Sequence, residues 1–262
     1  MGYHVLLSPH DDPLDRLTLS RWQFDASMPA ASIETQGDEL LLYALVGSVN
    51  VYANGLFLGT LGSRRSLKER GVQALRFPVG QGFDIALTLH GTSADLLCVT
   101  CVWMDTPLDA PRHPYWHWSD TAWHAVGEGS YERAVAEVPT PDGFAISAGE
   151  THNVRGGTSS WPPHANEADL RRFSDQETSW EELMWFCCTE SGSVNLQGLY
   201  TGNKVVDEIR RVDNGAAMVM PLGSHPITAA PGAEMTYAWF YCGDSLKKVY
   251  NASATDVHTY QK

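Results

Sequence analysis

The side chains able to do chemistry crowd into one stretch of this sequence, between Gly149 and Pro226. It opens Gly149-Glu150-Thr151-His152-Asn153-Val154-Arg155 and continues Ser159-Ser160-Trp161-Pro162-Pro163-His164-Ala165-Asn166-Glu167. It then carries Trp180-Glu181-Glu182-Leu183-Met184-Trp185-Phe186 and closes on Pro221-Leu222-Gly223-Ser224-His225-Pro226. His164 and Asn166 are two apart, so on a strand they share a face. Glu182 begins an apolar run, and His225 follows a Pro-x-Gly turn. On separate strands of a small barrel, these four side chains would converge on its interior. Two imidazoles, a carboxylate and an amide oxygen can surround one divalent metal, with open positions for water or substrate oxygens.

The elements that must position them read as strands. Glu39–Val46, Ser48–Tyr52, Ala74–Phe77, Phe83–Leu89, Leu96–Met104, Leu183–Cys188, Ala216–Met220 and Met235–Tyr241 are rich in Val, Leu, Tyr, Phe and Trp. Turn residues separate them, the pattern of a sandwich or barrel. Helical periodicity is scarce, and only Asn166–Arg172 suits a turn or two. A faint repeat adds organisation. Glu39-Leu40-Leu41-Leu42-Tyr43 leads to Gly47-Ser48-Val49-Asn50-Val51, and Glu182-Leu183-Met184-Trp185-Phe186 leads to Gly192-Ser193-Val194-Asn195-Leu196. Each is followed by an apolar strand ending in Pro-x-Gly, at Pro78 and Pro221. The expected fold is therefore all-β, two copies of one β-barrel, divided as 1–126 and 127–262. The Pro-, Trp- and His-rich run Asp105–Val126 is read as an ordered linker.

Composition removes other classes. The chain has 262 residues, a formal net charge of −13 and 43% apolar residues, so it is globular and unsuited to nucleic acid. No stretch reaches the ~20 apolar residues of a membrane span. The start, Met1-Gly2-Tyr3-His4-Val5-Leu6, has neither the basic nor the apolar region of a signal peptide. The five cysteines, Cys98, Cys101, Cys187, Cys188 and Cys242, sit in apolar runs and read as reduced core thiols of a cytoplasmic protein. Cys98 and Cys101 are three apart on a strand, hence on opposite faces and unsuited to a redox or zinc role.

The segment resembles the cupin superfamily, whose second motif appears as Gly215-x5-Pro221-x-Gly223-x-His225, one residue short before the His. More narrowly it resembles the 5-deoxy-glucuronate isomerase family of myo-inositol catabolism, related to 5-keto-4-deoxyuronate isomerase. The resemblance lies in Ser159-Ser160-Trp161-Pro162-Pro163-His164, Trp180–Phe186 and Pro221–Pro226, with further similarity at Gly129–Val135, Leu199-Tyr200-Thr201 and Ala229–Gly232. It implies a bicupin of two jelly-roll barrels, with the N-terminal one free of metal ligands. It also implies a divalent metal (zinc, manganese, iron or nickel) held by His164, Asn166, Glu182 and His225. The implied reaction is an aldose–ketose isomerisation of a deoxy-uronate through an enediolate.

One departure stands out: the family's second His is Asn166 here. An amide oxygen is a weaker, harder ligand, which shifts metal preference, brings in water, Glu167 or His152, or empties the site. The alternative reading is therefore a divergent bicupin that binds or transforms another small molecule. His152, Arg155, Arg133 and Arg171 (with Arg172 beside it) are candidates to meet a substrate carboxylate, as guanidinium does bidentately. Tyr200 and Glu181 are candidates for the proton shuttle. A homo-oligomer is expected, because sheet edges seek cover.

Overall fold

In the computed structural model, residues 2–67, 69, 71–102, 115–118, 122–141, 143–161, 180–188, 193–200, 207–220 and 223–243 are described. The described residues form eighteen strands: β1 Tyr3–Leu7, β2 Leu17–Phe24, β3 Ala30–Gln36, β4 Glu39–Ala53, β5 Leu56–Leu61, β6 Gln73–Phe77, β7 Gly82–Cys101, β8 Trp116–Trp118, β9 Trp123–Val126, β10 Arg133–Val138, β11 Ser147–Asn153, β12 Thr158–Ser159, β13 Trp180–Cys188, β14 Asn195–Tyr200, β15 Asp207–Val212, β16 Ala217–Met220, β17 Ile227–Thr228 and β18 Met235–Gly243. One 3-10 turn, Gly129–Tyr131, is the helical content of the described residues. The all-β expectation holds. Among the described residues no helix is long and apolar enough to cross a membrane. The expected turns of helix at Asn166–Arg172 lie outside the described residues.

The chain forms two compact units that are not contiguous in sequence. Unit 1 comprises Met1–Ala122 and Glu137–Ala148; unit 2 comprises Trp123–Ala136 and Gly149–Lys262. The segment 137–148, assigned to the second half by the sequence, thus belongs with unit 1.

In unit 1 the strands run in the order β1-β2-β7-β4-β6-β8, with β3 on β7 and β5 on β4. Two long strands organise it. The sequence breaks β4 at Gly47 and β7 near Gly91; the structure carries both through by irregular pairing at 44–49 opposite 89–96. The irregularity shows in side-chain parity. Leu40, Leu42 and Ala44 face the core before it, and Val49, Val51 and Ala53 after it. A bulge adds the odd residue that keeps one apolar face inward while the strand turns. Gly47 is obligatory there, because a Cβ would lie 2.1 Å from the Ser93 carbonyl oxygen. Buried Arg64 caps the corner, its Nε donating to the Leu45 carbonyl at 2.6 Å and Nη2 to the Ala44 carbonyl at 3.1 Å. The core cluster is filled by Phe24, Phe77, Phe83, Ile85, Leu87 and Cys98 with the β4 residues.

In unit 2 a six-stranded sheet runs β16-β13-β18-β11-β10-β9, and a four-stranded sheet runs β12-β17-β14-β15. β13 lies between β16 and β18, just as β4 lies between β6 and β7 in unit 1. Glu182 and Glu39 each lie near the start of a central strand but on opposite faces: Glu182 shares the core face with Met184 and Phe186, whereas Glu39 alternates with the core residues Leu40 and Leu42. All five cysteines are free thiols, and burial pushes Cys98 up to about 12. The run read as a linker contributes β8 to unit 1 and β9 to unit 2.

Candidate functional site

Two of the four expected ligands meet inside unit 2. Glu182 pairs across β13 with Met220 on β16 and Tyr241 on β18, and is 5% exposed. His225 is fully buried. Its backbone is clamped to β14: Ser224 and Tyr200 exchange hydrogen bonds of 2.8 and 3.0 Å, and Gly198 N–H donates to the Pro226 carbonyl at 2.8 Å. The clamp needs glycine at 223, where φ is +90° and a Cβ would lie 2.7 Å from the Tyr200 carbonyl oxygen. Gly223 is thus the residue that lets the clamp aim His225.

His225 Nε2 lies 3.4 Å from Glu182 Oε2. Its Nδ1 lies 3.4 Å from the Gly223 carbonyl, which can only accept, an arrangement that suits the tautomer protonated at Nδ1. In the neutral ring Nε2 is left with a lone pair facing a carboxylate oxygen. Two lone-pair atoms so placed repel unless a cation or a second ring proton joins them. A buried carboxylate oxygen and a buried imidazole nitrogen from separate sheets are a donor set that fits a divalent metal. Among the described residues no third His, Cys, Asp or Glu completes such a group. His164, Asn166, Glu167, Arg171 and Arg172 lie outside the described residues. The chain enters their segment through Ser160, buried and in the left-handed region at φ 51°, an uncommon choice for a non-glycine residue.

The other expected site residues are placed elsewhere. Glu181 pairs with Cys242 and leaves β13 on the face opposite Glu182. Tyr200 pairs with Ser224, so alternation sends its side chain away from the face shared by Leu199 and His225. His152 Nε2 lies 2.7 Å from Glu150 Oε1, its Nδ1 lies 3.2 Å from Thr236 Oγ1, and Trp123 meets its ring edge-on. Thr236 alternates with the core residues Met235 and Tyr237, so this cluster occupies the outer face of the sheet. Arg155 makes an exposed ion pair with Glu234 at 3.3 Å, and Arg133 donates to the Tyr131 carbonyl at 3.0 Å.

The sequence reading overlooked an inner polar lining. Tyr237 OH donates to Ser159 Oγ at 2.9 Å, and Asn153 Nδ2 donates to the same oxygen at 2.9 Å. Burial pushes the Tyr237 phenol up, partly offset by its hydrogen bond to Ser159. Fully buried Gln197 donates from Nε2 to Met220 Sδ at 2.7 Å. The available signal was the alternation Asn195-x-Gln197-x-Leu199, polar at positions whose parity is inward.

A model of the KduI/IolB family matches residues 18–260. The chain is similar to the 5-deoxy-glucuronate isomerase of Halalkalibacterium halodurans, 24% identical over 88% of this chain and 84% of that one. It is similar to that of Bacillus subtilis strain 168, 23% identical over 87% and 83%. The match to that of Geobacillus kaustophilus is 29% identical but spans 42% of this chain and 40% of the relative. Among solved structures, an IolB-like protein from Salmonella typhimurium superposes with a TM-score of 0.82, 20% identity and coverage of 98% and 95%. The oxalate decarboxylase of Lactobacillus farciminis superposes at 0.58, with 11% identity and coverage of 91% and 79%. These two likenesses bear on the fold alone, which is cupin-like.

Proposed function

The chain belongs to the KduI/IolB family, and on that premise we propose that it is an aldose–ketose isomerase acting on a deoxy-uronate with a divalent metal. The isomerase class is supported by the relatives named 5-deoxy-glucuronate isomerase. The observation that carries the metal is the buried approach of His225 Nε2 to Glu182 Oε2 at 3.4 Å. Glu182 and His225 would hold the ion with His164 and Asn166. Bound there, a divalent cation polarises a carbonyl and stabilises the oxyanion that develops as a proton moves between adjacent carbons.

The chain's own residues do the rest. Gly223 and the Ser224–Tyr200 bridge hold the imidazole; the sulfur- and ring-lined wall of Met184, Met220, Tyr237 and Trp239 limits water near it. Neither Glu181 nor Tyr200 is assigned the proton shuttle, because both leave their strands on the other face. The matching central positions of β4 between β6 and β7 and of β13 between β16 and β18 support two copies of one barrel, a bicupin whose first copy is structural. In this reading the protein is a cytoplasmic homo-oligomer without nucleic-acid or membrane partners.

Asn166 favours a second reading, a bicupin that binds a sugar acid without isomerising it. The test is incubation of purified protein with 5-deoxy-glucuronate and Mn²⁺, Zn²⁺, Fe²⁺ or Ni²⁺ in turn, followed by NMR. Appearance of the ketose supports the isomerase; unchanged aldose with every metal overturns it in favour of the second reading.

A further inference from the structure

The interiors of the two units differ in kind. The core face of unit 1 is packed with aliphatic and aromatic side chains, and its buried pair Glu39 and Arg76 lies on the opposite face. Unit 2 buries Asn153, Ser159, Gln197, Glu182 and His225. Two of these leave a carboxamide oxygen unpaired: Gln197 Oε1 and Asn153 Oδ1 are buried and have no hydrogen-bond partner. Their amide nitrogens are engaged, by Met220 Sδ and Ser159 Oγ respectively. Each side chain is thus fixed with its acceptor end spare.

Their placement ties them to the site. Gln197 pairs with Ile227, and the same register sets Leu199 opposite His225. Gln197 is therefore the diagonal neighbour of His225 on the inner face, within reach for a long side chain. Met220, which holds its Nε2, is the cross-strand partner of Glu182. Ser159, which holds Asn153, pairs with Ile227 from the other side. Ser159, Ile227 and Gln197 thus form one row across the four-stranded sheet, beside His225.

Unsatisfied buried acceptors are costly and rare, and a fold keeps them where something donates to them. Gln197 stands on β14 of the four-stranded sheet and Asn153 on β11 of the six-stranded sheet. They suit a ligand that presents several donors along its length. We propose that Gln197 Oε1 and Asn153 Oδ1 accept hydrogen bonds from hydroxyl groups of a polyhydroxylated sugar acid bound in unit 2, setting its orientation on Glu182 and His225. This rests on the sugar-acid reading above, but not on isomerisation.

The experiment is titration calorimetry of the full chain with 5-deoxy-glucuronate and with D-glucuronate, on wild type, Gln197→Leu, Gln197→Glu and Asn153→Leu, alongside melting temperatures without ligand. Leucine removes the acceptor at nearly constant volume; glutamate keeps it. Affinity should fall about tenfold or more in Gln197→Leu and Asn153→Leu and be retained better in Gln197→Glu. Melting temperatures without ligand should stay level or rise in the leucine variants, because a spare buried acceptor has gone; a purely structural amide would lower them. Wild-type binding that survives both leucine variants overturns the inference, even where turnover proves the isomerase. Binding without turnover, weakened in the variants, supports it while the isomerase reading fails. Wild type that binds neither acid overturns it.

Discussion

Arg76 Nη1 lies 3.3 Å from Glu39 Oε1, with both side chains shut away from solvent, on the face of unit 1 opposite the apolar cluster of Leu40, Leu42, Leu75 and Phe77. In one unit a carboxylate faces an imidazole; in the other it faces a built-in cation. Arg76 also donates to the Ile146 carbonyl, while Glu39 Oε2 accepts from the N–H groups of Ala145 and Ile146. The guanidinium and the two N–H groups together neutralise a carboxylate that the fold buries outside its apolar core.

Arg76→Ala leaves Glu39 buried without its counter-charge, and should cost about 3–5 kcal/mol in chemical unfolding. The paired change Glu39→Leu with Arg76→Met should restore much of that loss, because two apolar side chains carry no desolvation penalty. A double variant as unstable as the single one would contradict this.

Burial lifts the Glu39 carboxyl to about 7, partly offset by Arg76 and the two N–H groups. A raised acid binds more protons folded than unfolded, so its contribution to stability is full below its ordinary value near 4.5 and is lost as pH rises to about 7. Relative to Glu39→Gln, the wild type should lose up to about 3 kcal/mol across that window. Denaturant midpoints for the two proteins at pH 5, 6, 7 and 8 check the sign.

His225→Ala and Glu182→Gln should each lower bound metal well below stoichiometry and reduce isomerase turnover by about 100-fold or more. Far-UV circular dichroism should be unchanged, since neither residue anchors a strand. Elemental analysis of untagged protein reads the first effect and NMR the second. Full metal content in both variants would remove the pair from the site.

Gly223→Ala places a methyl group 2.7 Å from the Tyr200 carbonyl at a backbone φ of +90°. It should cost about 1–3 kcal/mol and displace His225, lowering metal affinity without touching a ligand. Gly232→Ala, at φ +82° with open space around it, is the control: it shares the backbone strain but should leave metal affinity alone.

Much of this was legible in the sequence, for reasons that are local. Leu183–Cys188 and Met235–Tyr241 have the length, residue types and flanking turns of strands, and the repeat put Glu39 and Glu182 near the starts of matching strands, although the two side chains leave on opposite faces. The long strands β4 and β7 were not legible, because Gly47 and Gly91 read as turn residues and only cross-strand pairing shows a corner carried by bulges. His152 lies close to His164 in sequence, yet the pleat puts it on the outer face; two-residue periodicity gives relative faces, not which one is inward. Gln197 escaped notice because a lone polar residue in a strand becomes conspicuous only once its neighbours are known to be buried.

The return of 137–148 to unit 1 sets an order on synthesis. A ribosome that has released 126 residues has released an unfinished unit: Glu39 lacks the Ala145 and Ile146 amides, and Arg76 lacks the Ile146 carbonyl. The first half cannot complete the hydrogen bonds around its charged pair until the chain has already begun the second. Gene fragments cut at the apparent boundary should thus yield two insoluble halves, whereas a nascent chain stalled beyond residue 148 and its tunnel length should hold a protease-resistant first unit.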